Sequence, residues 1–273
     1  MPVISTNTAA NSAVRYLNIN SQQMSSSLSK LSSGSKITQA SDDAAGLAIS
    51  TRISSDVTTL QQAATNASQA TSILQTADGG ASNISDILAR MKSLASQSSS
   101  GTVTDSSRAY LNSEFTALSD QIDSIATGTR YSGQSLLDGT SAFAAGATVL
   151  VGSSSADTIT VTLDDLTAGT LGVDTLNIST QTGATAAIDA LDTAIDTVSA
   201  ARATIGAQES RFNFSASSIS TQSQNLQAAN SAILDVDIAA EQAKLSSAQV
   251  KVQAAVAAES SANQMPQYLL KLL

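Results

Sequence analysis

Two pairs of adjacent carboxylates, Asp42-Asp43 and Asp164-Asp165, are the residues best suited by type to do chemistry. Paired carboxylates can divide the roles of general acid and general base when their surroundings push their pKa values apart. Neither pair has the company that chemistry needs. The chain contains no His and no Cys. That removes the usual proton shuttle at neutral pH, the commonest transition-metal ligand and every thiolate. There is accordingly no HExxH zinc motif and no Ser–His relay, and no Walker-type phosphate loop occurs. Asp42-Asp43, behind Ser41, reads as a helix cap, and Asp164-Asp165 as a loop. The sequence therefore predicts no enzyme, no metal and no cofactor. Lack of Cys also leaves the redox compartment unread.

The elements that would have to position any site are long helices. Leu191, Val198, Ile205, Phe212, Ile219, Leu226 and Ile233 fall seven residues apart, all apolar. One long helix thus lays a narrow stripe against partner helices. The half-way row, Ile188, Ile195, Arg202, Glu209, Ala216, Ser223 and Asn230, turns polar after Ile195, which favours a bundle seam over a free coiled-coil dimer. Arg202 and Glu209 are the charges on that row. They read either as an edge pair reaching to solvent or as a specificity contact between packed helices or subunits. Large aromatics are scarce, at 3% of residues with no Trp, and much of the 42% hydrophobic fraction is Ala. Stability must then come from many small contacts along helices, or from neighbouring subunits. Net charge is −9, from 13 Lys+Arg against 22 Asp+Glu, without a basic run. A nucleic-acid role lacks its electrostatic footprint. No apolar run is long enough to span a bilayer, and the start MPVISTNTAANSAV has no h-region of a Sec-type signal peptide. Taken alone, that suggests a cytoplasmic protein.

Along the chain, Val14, Leu17, Ser21, Met24, Leu28 and Leu31 predict a first helix that stops near Ser33-Gly34. Ser35–Ala40 is a connector. Ile53, Val57, Leu60, Ala64, Ala67, Thr71 and Leu74, followed by Ile84, Leu88 and Met91, predict one helix over about 43–99, with Gly79-Gly80 its weak point. Residues 98–107 form a turn, and Leu111, Phe115, Leu118, Ile122 and Ile125 a shorter helix ending at Gly128. Thr158–Leu163 alternates as a strand, with Thr148–Val151 its partner and GSSSAD the loop, giving a hairpin that should lie on the helices. The long helix begins near 184. Its register slips between Ile233 and Ile238, beside Asp235 and Asp237, a candidate domain boundary. The fold class is mainly α, with long helices in coiled-coil-like bundles and a small β-hairpin region at about 140–180. The two ends, 1–42 and 235–273, can pair as one domain, and the middle helices, 43–234, as a second.

Four segments carry a family resemblance: LSSGSKITQASDDAAGLAIS (31–50), SGQSLLDG (132–139), TVLVGSSSADTITVTLDDLTAGTLGVDTLNIST (148–180) and ANQMPQYLLKLL (262–273). Together they closely resemble bacterial flagellin, in family order and over nearly the whole chain. The sequence looks like a short form in which LGVDTLNIST runs almost straight into the last long helix, without variable outer domains. The resemblance implies a structural subunit that polymerises through its helical N- and C-terminal segments into the extracellular flagellar filament, for motility. A hook–filament junction protein is the alternative. Implied partners are other copies of the chain, the filament cap, hook-associated proteins, an export chaperone and the flagellar type III export apparatus, with no nucleic acid and no membrane. Export by that route uses no cleaved signal, so localisation shifts from the cytoplasm to the filament.

The expected self-assembly residues are Val14, Leu17, Met24, Leu28, Leu31, Leu245, Val252, Leu269, Leu270, Leu272 and Leu273. The terminal segments are short and Ser/Ala-rich, and are expected to order only on polymerisation. Arg90, Leu94 and Glu114 match the family's pattern for contact with a vertebrate Toll-like receptor, although Ser93 stands where an acidic residue is common. Contact between subunits is the other reading of these three. The 98–107 and 152–158 loops offer Ser and Thr to O-linked sugars, as in some family members.

Overall fold

A computed structural model describes the backbone of residues 6–270. Six helices and two small hairpins follow in order: α1 (Thr8–Ser33), α2 (Ala44–Ser99), α3 (Asp105–Gly128), β1 (Arg130–Tyr131), β2 (Gln134–Ser135), α4 (Ala142–Ala145), β3 (Ala147–Leu150), β4 (Thr158–Val161), α5 (Gln181–Leu234) and α6 (Ile238–Leu270).

Local chemistry sets the ends. Asn7 caps α1 by accepting from the Ala10 amide at 3.0 Å, and Gly34 closes it in the left-handed region at φ 70°. Asp43 caps α2 through the Gly46 amide at 2.8 Å. Asp42 turns the other way and accepts from the Thr38 and Gln39 amides. Thr104, Thr180 and Asp237 cap α3, α5 and α6. Of the two adjacent carboxylates, Asp43 is the cap that their sequence setting suggests, and Asp42 pins the connector instead. Gly79-Gly80 does not interrupt α2. The turn before α3 is pinned by Arg108, 6% exposed, which donates to the Ser98 and Ser100 carbonyls and to Asp105, each at 2.8 Å. Hydroxyls along the exposed faces are spent on their own helices. Ser72 and Thr76 on α2, Thr116 on α3, and Thr193, Thr197 and Thr204 on α5 each donate to the carbonyl four residues back.

The chain forms two compact units, residues 1–57 with 224–273, and residues 58–223. Both divisions fall inside long helices, α2 and α5, rather than at their ends. In the 58–223 unit a single core joins α2, α3, α5 and the hairpin region. The apolar stripe on α5 is buried from Leu191 through Val198, Ile205 and Phe212 to Ile219. Its companion row differs from the one expected. Ala187, Ala194, Ala201 and Gln208 are buried, the last three each three residues after a large residue of the stripe, whereas Ile188, Ile195, Arg202 and Glu209 are only half-buried beside them. Counting four residues on selects the bulkier side chains and passes over the small ones that sit squarely inside. The same shift occurs on α2, where Ala63 and Ala70 are buried in place of Ala64 and Thr71.

β3 and β4 pair antiparallel, Ala147 with Val161 and Leu150 with Thr158. Ile159, Val161 and Leu163 point into the core. Side-chain amides hold the hairpin on the helices. Gln208 grips the backbone of Thr162, accepting from its amide at 3.2 Å and donating to its carbonyl at 3.0 Å. Asn66 donates to the Leu150 carbonyl at 3.3 Å. β1–β2 and α4 have no counterpart in the sequence-based reading. β1 and β2 are joined by Ser132-Gly133, both at positive φ, the two-residue turn that suits a twisted ribbon.

Candidate assembly interface

In the 1–57/224–273 unit, α1 lies close along α6. The pair is antiparallel: Asn7 donates to the Ala262 carbonyl at 2.8 Å, and Gly34 meets the other end of α6. Close approach follows from small side chains at the seam, Ser27 on α1 and Ala248, Ala255 and Ala262 on α6. The two helix breaks are clipped together. Lys36 donates its amide to the Leu234 carbonyl, and Val236 donates to the Gly34 carbonyl at 3.1 Å.

This unit has almost no core. Among its described residues, Ile37 and Leu245 are the large apolar side chains that reach full burial. Apolar side chains instead stand outside. Tyr16 (63% exposed) and Leu28 (57%) on α1, with Val250 (64%) and Met265 (60%) on α6, are joined there by Val14, Ile19 and Val256.

The expected assembly residues separate into two faces. Val14 and Leu28 face outward. Leu17, Met24, Leu31 and Val252 are half-buried, and Leu245 is buried at 7%. The side chains of Leu269 and Leu270, and all of Leu272 and Leu273, lie outside the described residues. Tyr16, Ile19, Val250, Val256 and Met265 escape a stripe-based reading because they lie off the stripe. An apolar residue on the polar face of a helix is the signal that finds them.

In the 58–223 unit, Arg90 and Glu114 form an exposed ion pair, with nitrogen–oxygen distances of 2.6 and 3.0 Å. Leu94 is 1% exposed and belongs to the core, so its side chain is presented to no outside surface. Arg202 reaches across to α2 and donates to Asp78 at 2.8 and 3.4 Å, a contact between packed helices. The bond to Asp78 raises the Arg202 pKa. Glu209 takes no part. Its Oε1 is buried without a hydrogen-bond partner, and burial first, then the nearby Asp78 charge, push its pKa up. Asp165 accepts from Thr167 and Thr170 as a loop residue.

No cluster of metal-binding side chains occurs among the described residues, and no described helix is long and apolar enough to cross a membrane. What the geometry offers is contact surface.

Residues 4–142 match the bacterial flagellin N-terminal helical region, and residues 188–273 the bacterial flagellin C-terminal helical region. The chain belongs to the bacterial flagellin family. Full-length flagellins agree: that of Halalkalibacterium halodurans is 38% identical and that of Listeria monocytogenes 35%, each over 99% of both chains. The crystal structure of Bacillus cereus flagellin superposes with a TM-score of 0.52 at 33% identity, over 61% of this chain and 94% of that one. A putative flagellar hook-associated protein from Vibrio parahaemolyticus reaches 0.59 at 15% identity, over 70% of this chain and 99% of that one, and shows a shared fold alone. Flagellins are structural proteins, not enzymes, and the chain is a structural subunit of the flagellar filament, exposed outside the cell. The comparisons do not support the junction-protein alternative.

Proposed function

We propose that the chain polymerises into the filament that drives bacterial motility, through the terminal segments that form α1 and α6. The observation that carries this reading is the imbalance of the 1–57/224–273 unit, in which, among the described residues, exposed large apolar side chains outnumber buried ones and the core is thin. Burying one such side chain contributes about 1.5–3 kcal/mol, so neighbouring copies can supply what the unit lacks. Residues 1–42 and 235–273 act as the inner, assembling domain and residues 43–234 as the outer one. Val14, Leu28 and the terminal Leu269, Leu270, Leu272 and Leu273 make contacts between subunits, and Leu17, Met24, Leu31, Leu245 and Val252 hold the pair that presents them. Arg90 and Glu114 provide a helix-surface contact between subunits. Membership of the family supports export through the flagellar type III apparatus with a chaperone, and assembly beneath a filament cap onto hook-associated proteins. Negative-stain electron microscopy of the purified chain tests the reading. Long filaments are expected, and a chain that stays monomeric or forms only short rings overturns it.

A further inference from the structure

The groove between α1 and α6 gathers three lysines in a chain that is acidic as a whole. Its volume is about 580 Å³, and Lys30, Lys244 and Lys251 line it with Gln23, Ser26 and Ser247. Glu241 sits at its floor, 5% exposed, paired with Lys244 at 2.9 Å. That pair cancels one ammonium group. Among the described residues, neither Lys30 nor Lys251 has a carboxylate within ion-pairing distance. Three lysines against one glutamate leave the groove lining with an excess of two positive charges, Lys30 also feeling Glu241 and Asp42, in a chain of net charge −9.

A second copy of the chain is itself an acidic partner. Within the same unit, the break between α5 and α6 exposes two carboxylates two residues apart, Asp235, which accepts from Ser231, and Asp237, which caps α6. This acidic break and the lysine groove are different patches on one unit, both involving α6. Two such patches can meet reciprocally in a closed two-fold pair or in one direction only, and a chain that polymerises takes the second course. Each copy offers its break to one neighbour and its groove to another, the head-to-tail arrangement that continues into rings or open helical filaments.

We propose that the Lys30–Lys244–Lys251 groove receives the Asp235–Asp237 break of a neighbouring copy. This rests on the polymerising role and adds to it a directional charge contact, which sets the partner and the register more than the strength of the polymer.

Reversing charges tests it. One chain carries Lys30→Glu and Lys251→Glu. Another carries Asp235→Lys and Asp237→Asn, the Asn retaining the acceptor that caps α6. Each alone is expected to polymerise about tenfold more slowly than wild type or worse, because every head-to-tail contact then sets like charge against like or loses its pair. Mixed in equal amounts, the two are expected to recover filaments, since alternating copies restore opposite charges at every contact. A chain carrying all four substitutions is expected to polymerise alone. Wild-type assembly by either reversed chain alone overturns the contact, as does failure of both the mixture and the four-fold variant. Should a reversed chain melt below wild type, Lys251→Gln and Asp235→Asn replace it, and wild-type rates for both overturn the contact. If the wild-type chain itself forms no filament, the polymerising role falls. If it does and the variants are indifferent, only the charge contact falls.

Discussion

Glu209 is a carboxylate held where a neutral group would fit better. Its Oε1 is buried without a partner. The charged groups that face it are already engaged, Asp78 with Arg202 across the seam. Burial, then Asp78, raises its pKa above the ordinary value of 4.5. A raised folded-state pKa gives a stability contribution that is full below the unfolded value and is lost as pH rises through the folded one. Glu209→Gln is therefore expected to stabilise the 58–223 unit by about 1 kcal/mol at pH 7 and to change little at pH 4. Thermal unfolding at both pH values checks this, and an equal gain at both would remove charge as the cause. Glu241 has the opposite sign. The hydrogen bond from Lys244, then that from Ser27, holds its pKa below the usual range. Its contribution is present above the unfolded value and is lost as pH falls through the folded one. Acidification thus relieves one unit and weakens the other, a divergence that amide hydrogen exchange across pH 3–7 is expected to resolve.

At the scale of the element, Gly79 and Gly80 are neighbours with opposite roles in α2. A Cβ on Gly79 meets nothing within 4 Å, whereas one on Gly80 lies 2.5 Å from Thr129 Oγ1 and 2.8 Å from Leu137 Cδ1. Gly79→Ala is expected to stabilise by about 0.5–1 kcal/mol, the usual gain in a helix interior. Gly80→Ala is expected to cost about 1–3 kcal/mol by forcing the α3–β1 connection outward. Urea denaturation of the two variants gives the comparison. From sequence, both glycines are simply weak points, because only the tertiary neighbour distinguishes them. The helices themselves are legible. The cap at Asp43, the Gly34 stop, the register slip between Ile233 and Ile238 and the apolar stripes act locally and predict α1, α2, α3, α5 and α6. The seam's second row is harder to read, because Ala187, Ala194 and Ala201 carry little apolar signal while the half-exposed Ile188 and Ile195 carry much. The Gln208–Thr162 clasp is illegible for a related reason: a polar residue on a buried row looks like a flaw in the pattern until its backbone partner is known. Leu94 shows the converse, a family pattern placing at the surface a side chain that the helix register puts in the core.

At the scale of the whole molecule, stability is unevenly divided. The 58–223 unit has a continuous core, and the terminal pair has little beyond small-on-small contacts. Isolated helices of this Ser- and Ala-rich kind are marginal in water, so the pair is expected to gain order when neighbours cover it. Circular dichroism of monomer against filament should show higher helix content in the filament, and equal content would refute coupled ordering. Removal of residues 262–273 takes away the Asn7–Ala262 bond and one end of the seam. It is expected to abolish filaments while leaving the thermal transition of the central unit in place, and normal filaments from the truncated chain would exclude this. The hydroxyls along the helices then acquire a meaning for crowding. Because Ser72, Thr116, Thr193 and their counterparts already donate to their own backbone, pressing those faces against a neighbour strips away water without stranding a donor, and the desolvation cost of an unpaired hydroxyl, about 1–3 kcal/mol, is avoided. A surface that meets its own hydrogen-bonding needs can be stacked many times over with little loss per contact, and needs few charges to do so.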